Sequence, residues 1–201
     1  MNTHRWIATI SLGLGLALVA QLAVAQTTNQ RIRGTITAAD GNVLSVKTRE
    51  GQDIKINIPD NVGVSAAKAV TLGDFKPGAY VGATARINAA GVLVASEVHA
   101  LPPAAAPGHT PWDSAPGDTM TNANLVKVVK TAAGNELTME FKGGSRQILV
   151  PEGTPVVDFV PGDRSLLVPG ATIFTGAQVA ADGRISAARI SVSKDGVKPP
   201  Q

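Results

Sequence analysis

From residue 30 onward, apolar and polar side chains alternate in short runs. Ile32, Gly34 and Ile36 alternate with Arg33, Thr35 and Thr37; Leu44 and Val46 with Ser45 and Lys47; Ile54, Ile56 and Ile58 with Lys55 and Asn57. A period of two puts every second side chain on one face, the mark of a half-buried strand. The pattern returns with Leu137, Met139 and Phe141, and again with Ile148 and Val150. Turn-forming residues separate the runs: Asp40-Gly41-Asn42, Glu50-Gly51, Ala90-Gly91, Gly143-Gly144 and Asp182-Gly183. Longer connections at 60–76 and 152–168 lack strict alternation and leave room for a short helical turn. Pro77-Gly78 and Pro169-Gly170 then open hairpins predicted at 79–88 with 92–100, and at 171–180 with 184–192. On the last strands Val98 and Ile190 are assigned to one face, and Glu97 and His99 to the outward one.

The two halves correspond. GNVLSV at 41–46 matches GNELTM at 134–139, FKPGAYV at 75–81 matches LVPGATI at 167–173, and AAGVLVASEV at 89–98 matches ADGRISAARI at 181–190. One single-residue gap aligns the copies, which reads as duplication with divergence. Three strands, a long connection and two strands suit a five-stranded, partly open barrel of the OB type, with a small sandwich as the alternative. The predicted fold is therefore all-β: two tandem small barrels. The predicted boundaries are a signal peptide at 1–25, a first module at 30–101, a linker at 102–118, a second module at 119–194 and a frayed tail at 195–201.

The linker breaks the pattern. LPPAAAPGHTPWDSAPGD at 101–118 is dense in proline, which excludes helix and disfavours central strand, so an extended, semi-rigid segment is expected. It holds His109 and Trp112, the only tryptophan after Trp6. An indole in a free linker is a solubility liability, so Trp112 is expected to dock onto a module.

The first residues carry a separate message. Arg5, an apolar run from Trp6 to Ala20, and Ala23 and Ala25 in small-x-small spacing form a secretory signal with cleavage after Ala25. The run is short for a membrane span, and no later segment is long and apolar enough for one. A soluble periplasmic protein is expected, with no membrane span after cleavage. Formal net charge is +3, falling by one with Arg5, and no basic cluster suggests a nucleic-acid partner. Cysteine is absent, which removes disulfides and thiolate metal sites. Aromatics are few; Phe141 and Phe174 fall on strand positions expected in the core.

The patterns G-x-I at 34–36, L-x-V at 44–46, F-K-P-G at 75–78 and A-x-x-V at 95–98, with GHTPWDSAPGDTMTNANL at 108–125 and VPGDRSLLVPGA at 160–171, resemble a bacterial exported tandem β-domain family of unknown function. The resemblance covers nearly all of the chain after the signal and implies a small β-barrel fold in two-module periplasmic proteins. Some members carry the name of a metal transporter permease, a role that needs several spanning helices which this sequence lacks.

No catalytic constellation stands out. No G-x-S-x-G is present, no serine is marked as the partner of His99 or His109, and Asp60, Asp74, Asp158 and Asp163 read as solvated loop acids. His99, His109, Asp113 and Asp118 could supply nitrogen and oxygen ligands to a metal, but their spacing fits no ligand motif. The expectation is a non-enzymatic binding or protein-interaction module without cofactor, its partner an unknown envelope protein or small ligand. Its candidate interaction residues are His109, Trp112 and Asp113. The alternatives are a metal-handling accessory and a structural envelope component.

Overall fold

The computed structural model describes residues 27–200, so the expected signal and its cleavage at Ala25 lie outside the described residues. The architecture is all-β. The first half contributes β1 (Thr28–Asp40), β2 (Val43–Thr48), β3 (Asp53–Asn57), β4 (Gly63–Ala69), β5 (Tyr80–Ile87) and β6 (Leu93–Ala100). A short β7 (Gly108–Pro111) follows. The second half contributes β8 (Asp118–Thr131), β9 (Gly134–Phe141), β10 (Gly144–Val150), β11 (Val156–Gly162), β12 (Thr172–Val179), β13 (Ile185–Ser186) and β14 (Arg189–Val192). The expected helical turns are single 3-10 turns at Leu72–Asp74 and Arg164–Leu166. The long connections also hold β4 and β11, strands that their weak alternation did not announce. Conversely, the last predicted strand is broken into β13 and β14.

Two closed rings of strands form, and neither is built from one of the contiguous segments 30–101 and 119–194. In the first ring the meander β1–β2–β3 is closed by the hairpin of the second half: β12 pairs with β1 antiparallel, and β13 with β3 parallel. In the second ring β8–β9–β10 is closed by the hairpin of the first half: β5 pairs with β8 antiparallel, and β6 with β10 parallel. Each ring has taken the other half's closing hairpin.

The cores record the exchange. Ile32, Ile36, Leu44, Val46 and Ile56 pack with Ile173, Ala177, Ile190 and Val192 in one interior. Val81, Ala83, Ala85 and Val98 pack with Ala123, Leu125, Leu137, Met139 and Ile148 in the other. Aliphatic and small side chains fill both, as a chain poor in aromatics requires. Gly34 sits where β1 is shared, pairing with Thr48 on one side and Ile173 on the other. A Cβ there would run into the Lys47 carbonyl oxygen and lie 2.7 Å from Val46 Cγ1.

The rings are joined through β4 and β11. These pair antiparallel with each other, while β4 runs parallel to β14 and β11 parallel to β6. The central pair is Ala67 opposite Phe159, two residues that correspond between the halves. The pairing scheme is thus two-fold symmetric about that point. One departure from symmetry is the β8–β9 hairpin, which runs two residue pairs beyond its β1–β2 counterpart. The alignment therefore needs more than the single gap read from sequence. On the same strand Val126, Val128 and Val129 are exposed.

Candidate functional site

The bridge β14–β4–β11–β6 has two faces. Val98, Ile190, Val192 and Ala66 point into the ring interiors. Ser191, Phe159 and His99 fall on the opposite face, as the alternation and the pairing of Val157 with His99 dictate. Against that outer face lies a cleft of about 280 Å³. Its lining includes Trp112, Phe159 and Phe174, with Leu101 and Pro102 from the linker and Pro200 from the tail. A second chamber of about 770 Å³ lies next to it and shares Leu101, Pro102, Phe159, Phe174 and Ser191.

The linker reaches the cleft because it is ordered by strand pairing. β7 adds to β8 with His109 opposite Thr121, and the His109 Nδ1 to Thr121 Oγ1 distance is 2.8 Å. This replaces the expected semi-rigid tether. Beyond β7 the chain turns back through Ser114–Gly117. Trp112 N–H donates to the Asp118 carbonyl, and Gly117 takes φ +82. Asp118 accepts from Ser114 Oγ at 2.6 Å and from Arg86 Nε at 2.9 Å, tying the turn to β5.

That turn delivers Trp112 and Asp113 to the first ring. Arg33 donates to Asp113 at 2.7 Å and Arg31 at 3.3 Å, and Arg49 donates to the Asp113 carbonyl. Burial raises the Asp113 carboxyl, but the hydrogen bond and charge of Arg33, with Arg31, outweigh it and hold the group below its ordinary value. The Arg31 guanidinium lies 4.0 Å from the Trp112 ring centroid, and Arg33 lies between Trp112 and Phe174 at 5.7 and 5.2 Å. Such cation–aromatic contacts add to the ion pair. Trp112 docks as expected, onto the first ring.

Three expectations are corrected here. Arg33, placed on the polar face of its strand, is only 5% exposed because Trp112 and Asp113 cover it. Phe174 lies outside the core: Ile173, Thr175 and Ala177 face inward, and Phe174 turns to the cleft. His99 does lie on the outer face of β6, yet linker and tail cover that face and leave it 7% exposed. Its ring packs on Gly82, where a Cβ would sit 2.6 Å from Nε2. Burial pushes the His99 pKa down to about 4, so the ring is neutral, and Nδ1 has no hydrogen-bond partner. Asn122, also in the lining, donates Nδ2 to the Ala106 carbonyl while Oδ1 is unpaired.

The tail is also corrected. Lys194 and Val197 form a β-bridge, and Pro199 and Pro200 are buried rather than frayed. Of the proposed interaction residues, only Trp112 lines the cleft; His109 and Asp113 hold the linker in place. The four candidate metal ligands do not converge. Asp113 is engaged by Arg33, Asp118 by Arg86 and Ser114, and His109 by Thr121. Among the described residues no group of three or more His, Asp or Glu side chains could hold a metal, and no helix is long and apolar enough to cross a membrane.

Sequence reasoning missed Phe159, Phe174, Met120 and Asn122 because the cleft is assembled from β6, β8, β11, β12 and β14 across both halves. No local pattern marks such a convergence. No protein-family model, curated protein or solved structure matches this chain.

Proposed function

We propose that this chain is an exported, non-enzymatic binding module of the periplasm: two OB-like barrels from a duplicated unit, interlocked by exchanged hairpins, that present one aromatic groove between them. The single observation that carries the reading is the groove. Trp112, Phe159 and Phe174 converge beside uncharged Leu101, Pro102, Met120 and Asn122. Ligand sites are concave, mostly apolar and equipped with a few polar groups, and this groove has that character. The nearest histidine, His99, is neutral and lacks a carboxylate partner, which favours binding over acid–base chemistry.

The test is a pull-down from periplasmic extract with the immobilised chain and a Trp112→Ala control. Components retained by the parent and lost by the variant are expected. Equal retention by both, or turnover of a hydrolase substrate that disappears with Asp158→Asn, would overturn the reading.

A further inference from the structure

The two rings carry equivalent ends and close them differently. In the first ring Arg164, from the 3-10 turn, reaches the end of the β1–β2–β3 meander. Its Nη1 donates to the Pro59 carbonyl at 2.9 Å. Its Nη2 donates to the Gly41 carbonyl at 2.6 Å and to Asn42 Oδ1 at 3.0 Å. Asn42 Nδ2 donates in turn to Asp60 Oδ1 at 2.8 Å, which turns the amide oxygen toward the guanidinium. A planar, five-donor cation thus sits in a socket of oxygens with a carboxylate behind it.

The second ring keeps this socket and lacks the arginine. Asn135 stands opposite Val150, as Asn42 stands beside Ile58, whose N–H donates to its carbonyl. Pro151 and Glu152 follow Val150 as Pro59 and Asp60 follow Ile58. The Pro151 carbonyl accepts from Thr154 N–H at 3.2 Å, just as that of Pro59 accepts from Val62 N–H at 3.0 Å. The other 3-10 turn, Leu72–Asp74, stands where Arg164–Leu166 does, with Leu72 in the place of Arg164. Against these residues lies a chamber of about 710 Å³, whose lining includes Leu72, Asn135, Pro151, Glu152 and Thr154. That volume suits a small ligand. The Gly134 carbonyl is already taken by Thr131 Oγ1 at 3.0 Å, on the longer β8–β9 hairpin. The Asn135 and Glu152 side chains, by contrast, have no hydrogen-bond or ion-pair partner among the described residues.

The same lining holds Lys76 and Lys127, so two lysines against one glutamate leave it one charge positive. A bare cation is disfavoured there, and a ligand that brings an anion with its cation fits. We propose that this chamber binds a small molecule with a guanidinium at one end and a carboxylate at the other, the chemistry of free arginine. The guanidinium takes the place that Arg164 fills in the first ring. It donates to the Pro151 carbonyl and Asn135 Oδ1, with Glu152 as counter-ion, while the carboxylate faces Lys76 and Lys127. The site is separate from the aromatic groove and does not rest on the reading above.

The experiment is an amide NMR titration of the full mature chain with L-arginine. Shifts are expected at Asn135, Gly153 and Thr154, with a Kd below about 1 mM. L-citrulline, which has the same shape without the charge, should bind at least tenfold more weakly. Agmatine, which lacks the carboxylate, should bind at least fivefold more weakly. Asn135→Ala should cost at least fivefold in arginine affinity. Leu72→Arg supplies the chain's own guanidinium and should abolish binding. Arg164→Ala empties the first socket, so this variant should take up two arginines per chain, with new shifts at Gly41 and Asn42. The spectra themselves establish that each variant is folded. A parent chain whose Asn135 and Thr154 amides ignore arginine at about 10 mM, tenfold above the expected limit, overturns the proposal. So does citrulline or agmatine binding as tightly as arginine, or a folded Leu72→Arg that binds arginine unchanged. Tenfold tighter binding of Gly-Gly-Arg than of arginine would overturn the assignment to a free small molecule in favour of a chain end. Trp112→Ala should leave the arginine titration unchanged, so failure here and failure of the groove reading are told apart.

Discussion

Acidification should expose the buried imidazole of His99. Its pKa is pushed down to about 4 by burial, from an ordinary value of 6.5. The unfolded chain therefore takes up a proton at this position as pH falls through 6.5, while the folded chain does not until about 4. A group that binds its proton more weakly when folded destabilises the fold as pH drops through that window. Between pH 7 and pH 5 the loss comes to about 2 kcal/mol, at about 1.4 kcal/mol for each pH unit in which only the unfolded chain holds the proton. The assay is urea unfolding at both pH values, followed by Trp112 fluorescence, for the parent and for His99→Gln. The variant is expected to be less stable at pH 7 but to show a pH dependence shallower by about 2 kcal/mol. The window lies above the titration of most carboxylates, and His109, whose pKa burial and Arg146 also lower, contributes equally to both proteins. Parallel pH dependence in parent and variant would refute the assignment of His99 as a buried neutral group.

Three other outcomes follow from the same geometry. Asp113→Ala leaves Arg33 buried without its carboxylate and should cost about 1–2 kcal/mol in thermal unfolding, a range reduced because Asp113 is itself half exposed. Gly34→Val places branched carbons against the Lys47 carbonyl and Val46, and should cost at least about 2 kcal/mol or prevent folding, as read by circular dichroism. Proteolytic nicking between Pro103 and Ala106 should leave both fragments eluting together on size exclusion and separating only in denaturant, because each ring contains strands from both sides of the cut.

The strands themselves were legible because period-two alternation is a local property. Ile32, Leu44, Ile56, Leu137 and Ile148 all lie in ring interiors, where alternation places them. Partner choice was not legible. The β5–β6 hairpin could close either meander with the same inward residues, and nothing in Val81, Ala83 or Val98 says which ring they fill. The groove was hidden for the same reason, since its walls come from five strands and two irregular segments. Trp112 was found because a tryptophan among prolines is anomalous by composition alone. His99 was misjudged because alternation reports which face a residue takes, not what later covers that face.

The exchanged hairpins also set an order in time. A chain that emerges from its N-terminus presents Thr28–Asp40 long before Thr172–Val179, the strand that covers its edge. The first meander must therefore wait, with both flanks unpaired, while more than a hundred further residues arrive. Meanwhile β5 and β6 are completed only when β8 appears, so the second ring can close before the first. Unpaired strand edges are where chains join one another, and long-range pairing is slow. The molecule that is most tightly interlocked once finished is thus most vulnerable while half made. Its folding is expected to finish with the return of the last hairpin to the first strand.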